Sequence, residues 1–133
     1  LADEVTRIFY RLYLAKYPMT SIILIDEFGG STGDDASMSA NNTSAFNYRL
    51  VAGTDHLSKH ALGRAIDINP MMNPYVQNDH FSPENGAAYV DRSDIQLGMI
   101  DENDLCYQLF IEYGWEWGGA WHSSKDYQHF QKD

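Results

Sequence analysis

The sequence contains one cysteine, Cys106, so neither an internal disulfide nor a multi-cysteine zinc knuckle is possible. That thiol falls inside an apolar helical pattern, which points to a buried structural residue. Long apolar runs are missing too: the longest, Ile22 to Ile25, has four residues, far short of a transmembrane segment. Basic residues are scarce, nine Lys and Arg against nineteen Asp and Glu, for a formal charge of −10. A surface this acidic repels phosphate backbones and argues against nucleic acid as a partner. The chain opens at Leu1 with no basic or apolar leader, and the expectation is that a targeting segment was removed or the chain trimmed.

What is present suits a packed fold. Of 133 residues, 44% are apolar, with three Trp, nine Tyr and six Phe, enough for one core without disulfides. No repeat, low-complexity tract or linker interrupts the chain, so one domain over 1–133 is expected. Val5, Ile8, Phe9, Leu12 and Ala15 recur at helical spacing and predict an amphipathic helix over 2–17, ended by Pro18. Ser21 to Asp26 reads as a buried strand and Gly29 to Asn42 as a long loop. Phe46–Val51 and Arg64–Asn69 read as further strands. Ser82-Pro83 reads as an N-cap followed by proline at the first helical position. Asp101 is expected to cap a helix carrying Leu105, Cys106, Leu109, Phe110 and Tyr113, stopped by Gly114. The stretch Trp115–Gln131 alternates aromatic and polar residues and predicts the last strands. The class is α+β, helices flanking an antiparallel sheet.

Two segments carry the residue types that bind transition metals. One is Ser58-Lys59-His60-Ala61-Leu62-Gly63-Arg64-Ala65-Ile66-Asp67; the other is Asp126-Tyr127-Gln128-His129-Phe130-Gln131. Neutral imidazole and carboxylate are good zinc ligands, and three of them leave a coordination position open, as catalytic sites require. His60 and Asp67 are seven apart and would face opposite ways on one straight strand. A turn must fold one towards the other, and Gly63 supplies the permissive backbone. Asp126 and His129 are three apart, together on one helical turn or across a bulge. This spacing permits a shared site without requiring one.

The pattern Ser58-x-His60-x-x-Gly63-x-Ala65-x-Asp67 resembles the signature of the M15 family of D-alanyl-D-alanine carboxypeptidases and related peptidoglycan peptidases. Ser37-Met38, Asn41 to Arg49, Asp67-Ile68-Asn69-Pro70 and Asn73-Pro74-Tyr75 resemble its VanY-like branch. So do Gly114-Trp115-x-Trp117-Gly118-Gly119-x-Trp121 and Asp126-x-x-His129-Phe130. The blocks run in family order over about residues 20–131. The resemblance implies the fold shared with the Hedgehog signalling domain and a Zn2+ ion held by His60, Asp67 and His129. It implies Asp126 as catalytic base and Arg49 as a guanidinium directed into the cleft. Ser58 would orient substrate or support His60, and Trp117 and Trp121 would form cleft walls or pack in the core, where aromatics usually serve first.

The implied substrate is the peptidoglycan stem peptide, and the implied location the cell envelope. D-alanyl-D-alanine carboxypeptidase leads, with L-alanyl-D-glutamate endopeptidase and a non-catalytic zinc-containing wall-binding domain as alternatives. Two positions depart from the family pattern. Asp126 stands where many carboxypeptidases carry Glu, and Ala120 replaces an Asp common in the Trp-Gly-Gly-x-Trp block. His56, His80 and His122 fall outside the ligand positions and are expected at the surface or in structural roles. Asp34 and Asp35 are expected in a solvated acidic loop rather than at a second cation.

Overall fold

An apolar stripe on the first helix closes one side of the core. In the computed structural model, which describes residues 1–133 apart from the side chain of Ser31, α1 spans Ala2–Leu14. Ile8 and Leu12, one turn apart, are buried against α3, Leu105–Glu112, through Cys106, Leu109 and Phe110. Asp3 and Glu4 sit in the first turn of α1 and Arg11 in the last, the order the helix dipole favours. The helix ends before the expected residue 17 because Lys16 turns left-handed, φ 55°, ahead of Pro18. Asp104, not Asp101, caps α3: its carboxylate accepts from the Cys106 and Tyr107 amides at 2.9 and 3.4 Å. Gly114 stops that helix as expected, at φ 77°.

Two small antiparallel sheets complete the α+β architecture. In the first, β1 (Ala65–Asp67) pairs with β6 (His129–Gln131), which also pairs with β4 (Glu116–Trp117). In the second, β2 (Tyr75–Gln77) lies between β3 (His80–Ser82) and β5 (Lys125–Asp126). The first sheet backs onto the helices: Phe130 of β6 stacks on Phe110 of α3 at 4.2 Å between centroids, and Trp115 meets Phe110 edge-on. The predicted strand at 64–69 and the strands of the C-terminal stretch are thus present.

Other segments differ from the sequence reading. Ser21–Asp26 forms no ladder: Ser21 alone bridges to Asn42, Ile22 to Leu24 are exposed, and Ile25–Phe28 is a 3-10 turn. The buried Asn42 amide takes the place of a partner strand. Its Oδ1 accepts from Ser21 Oγ and Ile23 N, and its Nδ2 donates to Ile23 O. Phe46–Val51 is irregular apart from a Leu50–Leu57 bridge, and Phe46, Tyr48 and Leu50 stay exposed, so the alternation has no core to face. The expected loop at 29–42 contains a 3-10 turn, Gly30–Thr32, and a short helix α2, Asp34–Ser39. Pro83 is itself the cap of a 3-10 helix, Glu84–Tyr89, not its first residue.

Residues 70–100 lack periodicity because polar groups hold them from inside. The Asn73 Nδ2 donates to the carbonyls of Ile68, Asn69 and Gly98. Its Oδ1 accepts from Arg92 Nη2 and from Ile100 N at 2.7 Å. Arg92 also donates to the Met72, Tyr89 and Ile100 carbonyls and lies 4.4 Å over the Tyr127 ring. Removing such a hub leaves several buried donors and acceptors without partners. Asn73→Ala is expected to lower the unfolding free energy by about 3 kcal/mol, measured by urea denaturation; a loss below about 1 kcal/mol would show that the network does not hold this segment.

Candidate metal centre

Strand register brings the first two candidate ligands together: Asp67 of β1 stands opposite His129 of β6. The other edge of β1 is fixed by Ser44, which exchanges both backbone hydrogen bonds with Asp67, at 2.8 and 3.0 Å. His60 returns towards them through the expected turn. Gly63, at φ 66°, donates to the His60 carbonyl, and Arg64 to that of Lys59. His60, Asp67 and His129 are all buried, and each offers a ligand atom within 4.8 Å of the other two.

Hydrogen bonds decide which nitrogen each ring offers. His60 Nδ1 lies 2.7 Å from the Ala45 carbonyl, which only accepts, so Nδ1 carries a proton. His129 Nε2 lies 3.1 Å from Gln131 Oε1. The Gln131 amide is oriented by donating its Nε2 to Glu116 Oε2, so His129 Nε2 is the protonated nitrogen. The remaining nitrogens, His60 Nε2 and His129 Nδ1, face the two Asp67 oxygens at 3.2 and 3.1 Å. Lone pairs facing carboxylate oxygens repel, so a proton or a cation must lie between them. The donor set of two nitrogens and a carboxylate, with oriented outer partners, fits a zinc ion.

The titration of the metal-free cluster reflects the same convergence. Burial would raise the Asp67 carboxyl, but the two histidines hold it far below the usual range. Burial would lower the histidines; Asp67 outweighs it, raising His60 and pushing His129 up to about 9. Asp126 moves the other way. Burial and the Asp67 charge push its carboxyl up to about 7, and its Oδ1 is sealed from water with no hydrogen-bond partner. Gly118 makes room for this arrangement: a Cβ there would lie 2.6 Å from the Asp126 carbonyl and 3.3 Å from the His129 Cβ. A Cβ on Gly119 would strike the Trp117 ring at 2.2 Å. Close approach therefore explains both glycines of the Trp-Gly-Gly block.

The cluster and Asp126 line a cleft of about 490 Å³, shared with Arg49, Ser58 and Trp121. The Trp121 ring lies 5.4 Å from that of His129. Trp117 is not a cleft wall: it is buried in the core, and its Nε1 donates to the Tyr127 carbonyl. The position faces inward because β4 presents Trp117 opposite Phe130. Ser58 Oγ accepts from Ala61 N at 3.2 Å and holds the His60 turn. Sequence reasoning missed Asp34: it is half-buried in the cleft, 3.6 Å from Arg49 Nε, and burial raises its carboxyl. No spacing signal marks it, since α2 itself was not foreseen. Asp35 and His80, both exposed, also border the cleft, whereas His56 and His122 are at the surface.

A family model described as D-alanyl-D-alanine carboxypeptidase matches residues 52–132, more than half of the chain. No curated protein and no solved structure gives a match. The matched segment holds His60, Asp67, Asp126 and His129 and begins just after Arg49.

Loss of the amide that fixes His129 is expected to weaken metal binding. Gln131→Leu should lower zinc affinity about 10- to 100-fold in chelator competition; unchanged affinity would dismiss this orienting role. Asp126 gives a prediction in pH. Its folded pKa of about 7 exceeds the unfolded value of about 3.9, so the folded state binds the extra proton and stability falls as pH rises between those values. In metal-free protein, Asp126→Asn should raise Tm more at pH 8 than at pH 4; parallel curves for variant and parent would contradict this.

Proposed function

Because the chain belongs to the M15 family of peptidases, we propose that it is a zinc metallopeptidase acting on amide bonds of bacterial peptidoglycan stem peptides, most readily as a D-alanyl-D-alanine carboxypeptidase. The observation that carries this reading is a single cleft joining a three-ligand cluster to a half-buried carboxylate, one oxygen of which has no hydrogen-bond partner, and a guanidinium. The proposal extends to the fold, a Hedgehog/DD-peptidase-like single domain over 1–133, and to the cell envelope as its location.

His60, Asp67 and His129 would hold a zinc ion, which would supply Lewis acidity for the scissile carbonyl and for a water at neutral pH. Asp126 takes a proton from the attacking water and delivers it to the leaving amine. Burial beside the cluster makes the Asp126 carboxyl more basic than a free one, which suits a group that accepts a proton and hands it on. Arg49 supplies positive charge in the same cleft, for the developing oxyanion or a substrate carboxylate. Ser58 secures the His60 turn and borders the substrate's path, and Trp121 offers an apolar wall beside His129.

Asp in place of Glu at 126 favours the second reading, L-alanyl-D-glutamate endopeptidase, since endopeptidases of the family often carry Asp there. A wall-binding domain without catalysis would have no chemical use for a carboxylate such as Asp126 lining the cleft beside the ligand cluster. The test is mass spectrometry of defined stem peptides incubated with zinc-loaded protein. Asp126→Ala should keep its zinc and lose at least about 100-fold in turnover. Loss of terminal D-Ala marks the carboxypeptidase and scission before D-Glu the endopeptidase. No cleavage by folded, zinc-bound protein would refute the enzyme.

A further inference from the structure

The Nε–H of Arg49 is sealed from water and has no hydrogen bond, an arrangement that costs free energy unless it serves something. Beside it stands Asp34, the first residue of α2, with Oδ2 at 3.6 Å. The other oxygen, Oδ1, accepts from Asn47 Nδ2 at 3.3 Å, and Asn47 is 2% exposed. The Asn47 backbone in turn donates to the carbonyl of His60. Polar contacts therefore run from the His60 turn through Asn47 and Asp34 to the guanidinium. The platform under Asp34 is fixed as well: Ser37 of α2 is buried and its Oγ accepts from the Asn42 amide at 3.1 Å.

This is not an ordinary surface ion pair, whose worth would be small. Asp34 and Arg49 keep 32% and 29% of their side-chain exposure and line the same cleft as the ligand cluster. We propose that Asp34 is a positioning residue for Arg49: it engages the Nε edge of the guanidinium and so leaves the two Nη groups directed at the oxygens of a bound substrate. A guanidinium is planar, and fixing one edge fixes the plane of the other donors. At 3.6 Å the contact is longer than a hydrogen bond, and on this proposal it closes to one in the occupied site, where such contacts tighten. The role towards substrate rests on the peptidase reading; the clamp itself does not.

The test is a double-mutant cycle with an independent spectroscopic arm. Asp34→Asn, nearly isosteric, and Asp34→Ala are each made alone and with Arg49→Ala, all zinc-loaded, and kcat and KM are measured on stem peptide. Zinc content should be unchanged throughout. Each Asp34 variant should cost about 10-fold or more in kcat/KM when Arg49 is present and less than about 2-fold when it is absent. Additive losses would overturn the proposal, because a purely structural Asp34 would cost the same in both backgrounds. The second arm follows the Arg49 Nε–H signal by NMR, which should shift and exchange faster with water in both Asp34 variants. An unchanged signal overturns the clamp whatever the kinetics. If the parent protein cleaves no stem peptide, the peptidase reading falls, and the NMR arm alone decides whether Asp34 holds Arg49.

Discussion

A carboxylate buried between two imidazoles is the interaction on which the rest of this structure depends. Asp67 is 6% exposed, and desolvating its charge is expensive unless positive partners answer it. His60 and His129 do so at 3.2 and 3.1 Å. Neither histidine could be there without the backbone around Asp67. One flank of β1 carries His129 in register, and the other carries Ser44, one residue before the carbonyl that fixes the His60 tautomer. A three-residue strand thereby sets the positions of both rings.

Around that cluster the packing is tight where the site needs precision. The turn at Gly118-Gly119 presses against Asp126 and the Trp117 ring at distances no Cβ tolerates. Trp117 belongs to the core through Tyr107 and Tyr127, so core and cleft meet at this turn. The polar hub at Asn73 reaches the site by another route: the Asn73 carbonyl accepts from the Gln128 amide, one residue before His129. Here hydrogen bonds replace the regular ladders that the short strands do not provide.

Charge in the cleft is distributed unlike charge on the surface. The chain is strongly acidic overall, yet burial leaves its four cleft-lining aspartates in different states. Without metal, the Asp67 carboxyl is held far below the usual range, that of Asp126 is raised to about 7 and that of Asp34 is raised too; Asp35 remains exposed. Neighbouring carboxyls in one cleft are thus pushed apart in pKa by burial and by the charges beside them.

The sequence by itself determined the α+β class, the apolar faces of α1 and α3, the strand at Asp67 and the glycine turn that returns His60. Those rest on periodicity and on backbone freedom, which are local properties. The His60, Asp67 and His129 group was legible through the resemblance of its two segments to a family signature, since residue types and spacing alone permit a shared site without requiring one. Only the tertiary structure decided the rest. Ser21–Asp26 looked like a strand, but the Asn42 side chain captured its backbone groups. Trp117 and Trp121 look alike in sequence, yet β4 turned one into the core and left the other at the cleft. Asp34 became a cleft residue only when α2 folded against the segment bearing Asn47 and Arg49. Pairing, burial and the answering of a buried charge are long-range events, and no window of neighbouring residues contains them.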